Sequence, residues 1–216
     1  MLEFALFDLD DTLYTAQCGL WAAIGDRIDQ FMVERLGLAP GTTAAQRRNY
    51  LERYGTTLNG LRREYQVDPL EYLNFVHDVP LPRYLTPNAG LEAMLARLPL
   101  TKAIFTNADA AHAQRELDCL GIARHFTQII DIHSLEFINK PDTRAYVRAL
   151  ELLGAQAERC VFVDDAPRNL RPARALGMFT VLVKSPAVEP LPAGVDCQIE
   201  SVLQLEQVLA RANGRA

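Results

Sequence analysis

Two aspartates two residues apart, Asp8 and Asp10, are the first residues of the chain with the types and spacing for chemistry. They lie in the segment DLDDTLY, residues 8–14, directly after the apolar run FALF. Carboxylates this close together repel each other unless a cation neutralises them or they share a proton. Mg²⁺ is a hard ion that prefers oxygen ligands and fits such a pair. The same acids also occur as helix caps at strand–helix turns, so both interpretations stay open for this segment alone.

Three further polar groups follow apolar runs later in the chain, namely Thr106–Asn107, Lys140 and Asp164–Asp165. A hydroxyl followed by a backbone amide can bind an anion, although such a pair is more often a simple turn. A lysine ammonium can neutralise phosphate and carboxylate charge, although a lone lysine is usually solvated. Two adjacent acids after a wholly apolar run are hard to explain by folding, because the buried end of a strand is a poor place for charge.

The elements that must position these residues alternate between apolar runs and helical periods, which predicts a doubly wound α/β sheet. Runs that are apolar throughout are typical of parallel strands buried on both faces, whose carboxyl ends carry ligand-binding groups. The predicted strands span residues 4–8, 102–106, 128–131, 160–164 and 179–183. The predicted core helices span residues 109–120, 142–153, 168–176 and 201–212.

A long helical insertion separates the first two predicted strands, where a plain strand–helix–strand unit needs about 30 residues in total. The apolar side chains of Leu20, Ile24, Ile28 and Phe31 recur at helical spacing there, with Trp21 assigned to the same core. Further helices are predicted near residues 43–54, 57–66 and 69–78. We therefore predict a core of residues 1–14 and 85–216 and an all-helical inserted domain of residues 15–84.

Composition excludes several classes of protein. The 216 residues are 49% hydrophobic and 23% charged, which is ordinary for a folded globular chain. The net charge of −5 disfavours a nucleic acid polymer or an anionic membrane as the main partner. No apolar stretch approaches the ~18 residues needed to span a bilayer, and the N-terminus does not resemble a signal peptide. The four cysteines are widely spaced, so we expect a reduced, cytoplasmic setting, and nothing in the sequence indicates an oligomeric state.

The order DxDxT, strand-end threonine, lysine and paired aspartates resembles the haloacid dehalogenase-like (HAD) hydrolase superfamily. The resemblance covers the whole chain and implies a Rossmann-like parallel sheet with the first strand central and a helical C1 cap inserted after it. The segments GLWAAIGDRI, YGTTLNGL and DPLEYLNFVHD of the insertion are similar to the pyrimidine 5′-nucleotidase-like group. A small-molecule phosphate monoester, such as a pyrimidine nucleoside 5′-monophosphate, is then the expected substrate, and Mg²⁺ the expected cofactor.

The resemblance also implies roles for individual residues. Asp8 is expected to be the nucleophile that forms an aspartyl-phosphate, and Asp10 the general acid and base. Thr106 and the Asn107 amide are expected to bind phosphoryl oxygens, while Lys140 holds Asp8 and the phosphate in line. The expected ligands of the Mg²⁺ ion are Asp8, the backbone carbonyl of Asp10, Asp165 and, through water, Asp164. Asn169 stands where many relatives have another acid. We therefore expect it to contact the metal ligands and not to be a ligand itself.

Other reactions of the superfamily remain as alternatives. A dehalogenase does not need the second acid, Asp10, so phosphoryl transfer is favoured. Phosphonate cleavage is expected to use a lysine of the cap. The three lysines of the chain are Lys102, Lys140 and Lys184, so residues 15–84 contain none and phosphonate cleavage is disfavoured. A phosphatase acting on a sugar phosphate or phosphoglycolate and a sugar phosphomutase both remain open. So does an inactive binding or regulatory module, although no core motif is broken.

The inserted domain contains one candidate for substrate recognition, the polar segment from Tyr54 to Asn59 (Tyr54, Gly55, Thr56, Thr57 and Asn59) with Arg62 and Arg63 nearby. A purely structural interpretation makes Gly55 a helix C-cap, the threonines the cap of the next helix and the arginines solvated. The four histidines, His77, His112, His125 and His133, show no ligand spacing and receive no role.

Overall fold

A six-stranded parallel sheet forms the centre of the computed structural model, which describes residues 1–213, with side chains described to residue 210. The order of the strands across the sheet is β3-β2-β1-β4-β5-β6. The strands in the described part of the chain are β1 (Phe4–Phe7), β2 (Thr101–Phe105), β3 (Gln128–Ile130), β4 (Cys160–Asp164), β5 (Phe179–Val183) and β6 (Cys197–Ile199).

The first strand is central, as the resemblance implies. β1 pairs in parallel with β2 on one side and with β4 on the other, so that Phe7 lies beside Ile104 and Val163. Ala5, Leu6 and Phe7 are completely buried, as expected for a strand covered on both faces. The carboxyl ends of β1, β2 and β4 therefore meet at the middle of one edge of the sheet, the usual place for a ligand in this architecture.

Helices connect the strands, and the predicted α/β fold is confirmed. Those in residues 1–213 are α1 (Leu20–Leu36), α2 (Thr43–Tyr54), α3 (Thr57–Tyr65), α4 (Pro69–Val76), α5 (Ala89–Arg97), α6 (Ala110–Leu120), α7 (Thr143–Leu153), α8 (Pro167–Ala175) and α9 (Leu205–Asn213). Two elements were not predicted, the short edge strand β6 and the helix α5, which occupies the proline-flanked return to the second strand. None of the helices described is long and apolar enough to cross a membrane.

The chain divides into two compact units, one of Met1–Thr15 with the chain from Leu85 onward and one of Ala16–Tyr84. The second unit consists of α1 to α4 with short 3₁₀ turns.

Two expectations about the inserted unit have different outcomes. Leu20, Ile24, Ile28 and Phe31 of α1 are buried, whereas Trp21 is 48% exposed and was wrongly assigned to the core. The reason is geometric, because Trp21 lies about 100° around the helix from Leu20 and so at the margin of the apolar stripe.

The polar segment from Tyr54 to Asn59 caps two helices, as the purely structural interpretation predicts. Gly55 ends α2 with a left-handed φ of 80°, which glycine adopts without strain. The Thr56 hydroxyl accepts a hydrogen bond from the Asn59 amide and caps α3. These contacts give the segment a folding role that needs no substrate.

Lys102 is a buried lysine with a folding role. Its ammonium donates hydrogen bonds to the carbonyl oxygens of Leu98 (2.7 Å) and Leu100 (2.9 Å), which closes the turn between α5 and β2. Burial lowers the pKa of Lys102 from its ordinary value.

Candidate active site

Asp8 follows the central strand β1 and points into a polar site at its carboxyl end. Its amide donates a hydrogen bond to the Val163 carbonyl of β4 (2.9 Å), so the backbone is still held by the sheet at this residue. Its two carboxylate oxygens have separate partners, because the Lys140 ammonium donates to Oδ1 (2.7 Å) and the Thr12 hydroxyl to Oδ2 (3.1 Å). Asp8 is therefore fixed in orientation as well as in position.

Lys140 is completely enclosed and joins three strand ends. Its ammonium donates to Asp8, to Oδ2 of Asp164 (3.0 Å) and to the Phe105 carbonyl oxygen at the end of β2 (2.7 Å). With a side chain only 1% exposed, this ammonium has all three of its protons committed to protein oxygens. Burial alone lowers the pKa of Lys140, but the charges of Asp164 and Asp8 outweigh that effect and raise it above its ordinary value.

Asp164 and Asp165 end β4 and differ in their surroundings. The Asp164 carboxylate accepts hydrogen bonds from Lys140, from the Ala166 amide (2.8 Å) and from the Asn169 side chain (3.0 Å to each oxygen). Asp165 is only partly buried. Asn169 therefore orients Asp164, while Asp165 offers its carboxylate at the surface of the site.

Oxygen atoms of Asp8, Asp164 and Asp165 lie within 4.8 Å of one another, close enough to share one metal ion. Three carboxylates against the single charge of Lys140 leave an excess of negative charge in a largely enclosed place. An all-oxygen donor set with that excess suits a hard divalent cation such as Mg²⁺. The residues present therefore fit the expected cofactor.

Thr106 and Asn107 follow β2, and their side chains bond to neighbouring backbone. The Thr106 hydroxyl accepts a hydrogen bond from the Ala108 amide (3.0 Å). The Asn107 side chain accepts from the Lys140 amide (2.9 Å) and donates to the Lys140 carbonyl (3.2 Å). Asn107 thus fixes the backbone of the residue whose ammonium contacts Asp8, a role that its position after a strand did not reveal.

Asp10 lies against a buried polar cluster, which we call the Asp10 support and define as Tyr14, His112 and Glu116. The Tyr14 hydroxyl donates to Oδ1 of Asp10 (2.5 Å), and Nε2 of His112 lies 2.8 Å from Oε1 of Glu116. One ligand-type atom from each of Asp10, His112 and Glu116 lies within 4.8 Å of the others, so these three are a second group with metal-ligand chemistry. His112, which received no role from the sequence, is therefore part of the site's surroundings.

Burial sets the protonation of this cluster. It raises the pKa of Asp10 well above the ordinary value, and the charges of Glu116 and Asp8 add to the rise. It likewise raises the pKa of Glu116 to about 8 and lowers that of His112. A raised pKa favours the protonated form of the Asp10 carboxyl.

We predict that the metal-free protein loses stability as the pH rises from about 5 to about 8. Burial, with the charges of Asp8 and Asp164, raises the pKa of Asp165 to about 8, against 3.8 for an ordinary aspartate. Between these two values the folded state holds a proton that the unfolded state has lost, so each rise in pH favours unfolding. Urea denaturation in EDTA across this pH range measures the effect.

The Asp165→Asn variant is the control, because it removes this titration and should make the pH dependence shallower, leaving the part that comes from Glu116. Added Mg²⁺ should raise the free energy of unfolding more at the upper end of the range, since the ion competes with the proton. A pH dependence that is the same in the variant and the parent would contradict the prediction.

The sequence missed the Asp10 support because its members are far apart in the chain. Within α6, His112 and Glu116 are four residues apart and so share one helix face, which is the one signal available beforehand. Nothing in the sequence indicates that this face turns toward Asp10.

Comparisons with known proteins agree on one family. Residues 3–177 match the haloacid dehalogenase-like hydrolases. Phosphate metabolism protein 8 of Saccharomyces cerevisiae is 31% identical over 191 residues, which are 82% of this chain and 60% of the yeast protein. Glyceraldehyde 3-phosphate phosphatase of Methanocaldococcus jannaschii is 26% identical over 202 residues, 85% of each chain.

A solved structure has the same fold. The HAD phosphatase from Thermococcus onnurineus superposes with a TM-score of 0.69 at 19% identity, covering 96% of this chain and 98% of that one. At that identity the likeness shows the fold alone. The chain spans about 60% of the length of the yeast relative.

Proposed function

The chain belongs to the haloacid dehalogenase-like hydrolase family, and we propose that it is a Mg²⁺-dependent phosphatase acting on small phosphate monoesters through an aspartyl-phosphate on Asp8. The observation that supports this function most is the enclosed contact of Asp8 with Lys140. Through it, a carboxylate at the end of the central strand is oriented by a lysine from a distant part of the chain.

In the proposed reaction, one Asp8 oxygen attacks phosphorus while Asp10 gives its proton to the leaving oxygen. Asp10 then takes a proton from the water that hydrolyses the aspartyl-phosphate. Thr106 and the Asn107 amide bind phosphoryl oxygens, and Lys140 offsets the charge of Asp8 and the phosphate. Most of the rate enhancement would come from positioning and electrostatic stabilisation of the transferring group.

The proposed ligands of the Mg²⁺ ion are Asp8, the backbone carbonyl of Asp10 and Asp165, with Asp164 acting through water. When bound, the ion neutralises the carboxylates and withdraws charge from the phosphoryl oxygens. The bonds from Lys140, Ala166 and Asn169 to Asp164 support an indirect role, because they already occupy both of its oxygens.

Within this class we propose pyrimidine nucleoside 5′-monophosphates as substrates, on the similarity of the inserted segments to the nucleotidase-like group. The competing candidate is a small sugar phosphate or phosphoglycolate. It is favoured by the archaeal relative, which is named for glyceraldehyde 3-phosphate and matches 85% of this chain. A sugar phosphomutase would share the core residues and differ in how it excludes water.

A panel of phosphate monoesters tests both the proposed phosphatase activity and the proposed preference for pyrimidine nucleotides. We expect phosphate release that requires Mg²⁺ and stops in EDTA, with kcat/KM for UMP or CMP at least tenfold above that for AMP, phosphoglycolate, glyceraldehyde 3-phosphate and glucose phosphates. A preference for the last three would remove the nucleotidase and keep the phosphatase. Isomer interconversion without phosphate release would indicate a mutase. No turnover of any ester would overturn the function.

A further inference from the structure

The Asp10 support is costly to bury, and packing alone does not account for it. The side chain of His112 is 1% exposed and that of Glu116 is fully buried, on the face of α6 that also buries Ala113 and Leu117. Apolar side chains at these two positions would pack against the sheet without the desolvation penalty of an imidazole and a carboxyl. What the polar pair contacts instead is the carboxyl of Asp10 and the hydroxyl of Tyr14.

Tyr14 connects this pair to Asp10. Its hydroxyl carries one proton and donates it to Oδ1 of Asp10, at a distance of 2.5 Å. The same hydroxyl interacts with the Glu116 carboxyl, whose other neighbour is His112. The Tyr14 hydroxyl is thus bonded to Asp10 and lies next to the buried carboxyl of Glu116.

We propose that Tyr14 is a positioning residue that fixes the orientation of the Asp10 carboxyl and so decides which of its oxygens exchanges a proton with the leaving group. Because Oδ1 accepts the Tyr14 hydrogen bond, Oδ2 is the oxygen left for that exchange. Glu116 of α6 interacts with the same hydroxyl. The assignment rests on the proposed function, in which Asp10 is the general acid and base.

The proton balance of the two half-reactions follows from this arrangement. As Asp8 bonds to phosphorus, the bond to the leaving oxygen breaks, its electron pair stays on that oxygen, and the Oδ2 proton moves there. Asp10 is then a carboxylate whose charge is stabilised by the Tyr14 hydroxyl. In the second half, attacking water gives a proton back to Oδ2, phosphate leaves, and the carboxylate of Asp8 is restored.

The leaving-group dependence of kcat/KM tests the proposal. This constant reports the steps up to transfer onto Asp8, and protonation matters most for a poor leaving group. We compare p-nitrophenyl, phenyl and benzyl phosphates, which carry similar rings on progressively poorer leaving groups. For Tyr14→Phe we expect kcat/KM for benzyl phosphate to fall by about 10- to 100-fold, which is part of what general acid catalysis contributes. The value of kcat/KM for p-nitrophenyl phosphate should fall by less than about threefold.

Two further variants complete the series. Glu116→Gln should change the leaving-group dependence in the same direction as Tyr14→Phe. The melting temperature of Tyr14→Phe shows whether that variant folds. If it does not, Glu116→Gln supplies the same readout. Tyr50→Phe is the matched control, since this buried tyrosine of α2 also donates to a carboxylate, Glu64 (2.8 Å), in the inserted unit. It should leave the dependence unchanged.

Asp10→Asn separates failure of the inference from failure of the proposed function. If its losses are equal for all three esters, the acid role of Asp10 is wrong and the proposed chemistry with it. If its losses grow with poorer leaving groups while those of Tyr14→Phe and Glu116→Gln do not, the function stands and the positioning role of Tyr14 is overturned. Losses of kcat/KM that grow with poorer leaving groups in all three variants support both the proposed function and the positioning role of Tyr14.

Discussion

Replacing Asp8 by asparagine should abolish phosphate release and leave the fold intact. We expect kcat for p-nitrophenyl phosphate to fall by at least about 10⁴-fold, the scale of loss when a covalent nucleophile is removed. The amide has the shape of the carboxylate, and Lys140 keeps its bonds to Asp164 and to the Phe105 carbonyl, so the site does not collapse. Far-UV circular dichroism and the melting temperature should therefore match those of the parent.

The control is the neighbouring acid. Asp11 has a left-handed φ of 58°, which asparagine also tolerates, so Asp11→Asn changes one charge beside the site without backbone strain. It should retain activity within about tenfold. Mass spectrometry after acid quench should find phosphate on the peptide that contains Asp8 in the parent and none in Asp8→Asn. Mg²⁺-dependent turnover by a variant verified to carry asparagine would refute the nucleophile assignment.

Replacing Lys140 by methionine should cost both stability and activity. The change leaves Asp8 and Asp164 facing each other in an enclosed site without the ammonium that neutralises them. Breaking a buried ion pair by removing one partner costs about 3–5 kcal/mol, and we expect a loss of that size in the free energy of unfolding near neutral pH. Since acid protonates the Asp164 carboxylate, whose pKa burial raises to about 6, the loss should shrink as the pH falls.

Lys102→Met is the matched control, because Lys102 is the other buried lysine in the described residues. Its ammonium bonds only to the carbonyl oxygens of Leu98 and Leu100, away from any carboxylate. It should lose stability, yet its folded fraction should keep kcat/KM within about threefold, whereas Lys140→Met should lose at least about 10²-fold. Equal kinetic losses in the two variants would show that Lys140 has no special role.

The sequence predicts the sheet and its strand ends well, because the signals there are local. The apolar runs before Asp8, Thr106 and Asp164 leave few alternatives to buried parallel strands, and the polar residues that follow them meet at one edge. Short elements are less visible. β6, at the far edge of the sheet, has the sequence CQI, with a polar glutamine at its centre, so no apolar run marks it.

Contacts between distant segments could not be predicted in the same way. Asn107 bonds to the backbone of Lys140, and Glu116 lies beside Tyr14. Both contacts depend on how α6 and the loop after β3 pack on the sheet. No spacing within either segment reveals such a pairing. The Tyr54–Asn59 segment shows the opposite problem, since its composition suggested recognition where capping explains Gly55 and Thr56.

The central place of β1 also has a consequence for motion. Each of its backbone amides donates to one neighbouring strand, and both neighbours, β2 and β4, are themselves inner strands, so exchanging these amides with solvent deuterium requires the centre of the sheet to open. We expect the amides of Leu6 to Asp8 to be among the last to exchange, at a rate set by global unfolding, while those of the edge strand β6 exchange through local fluctuations. Asp8, the proposed nucleophile, is then attached to the part of the molecule that opens last. Fluctuations at the edges of the sheet should therefore leave its position unchanged.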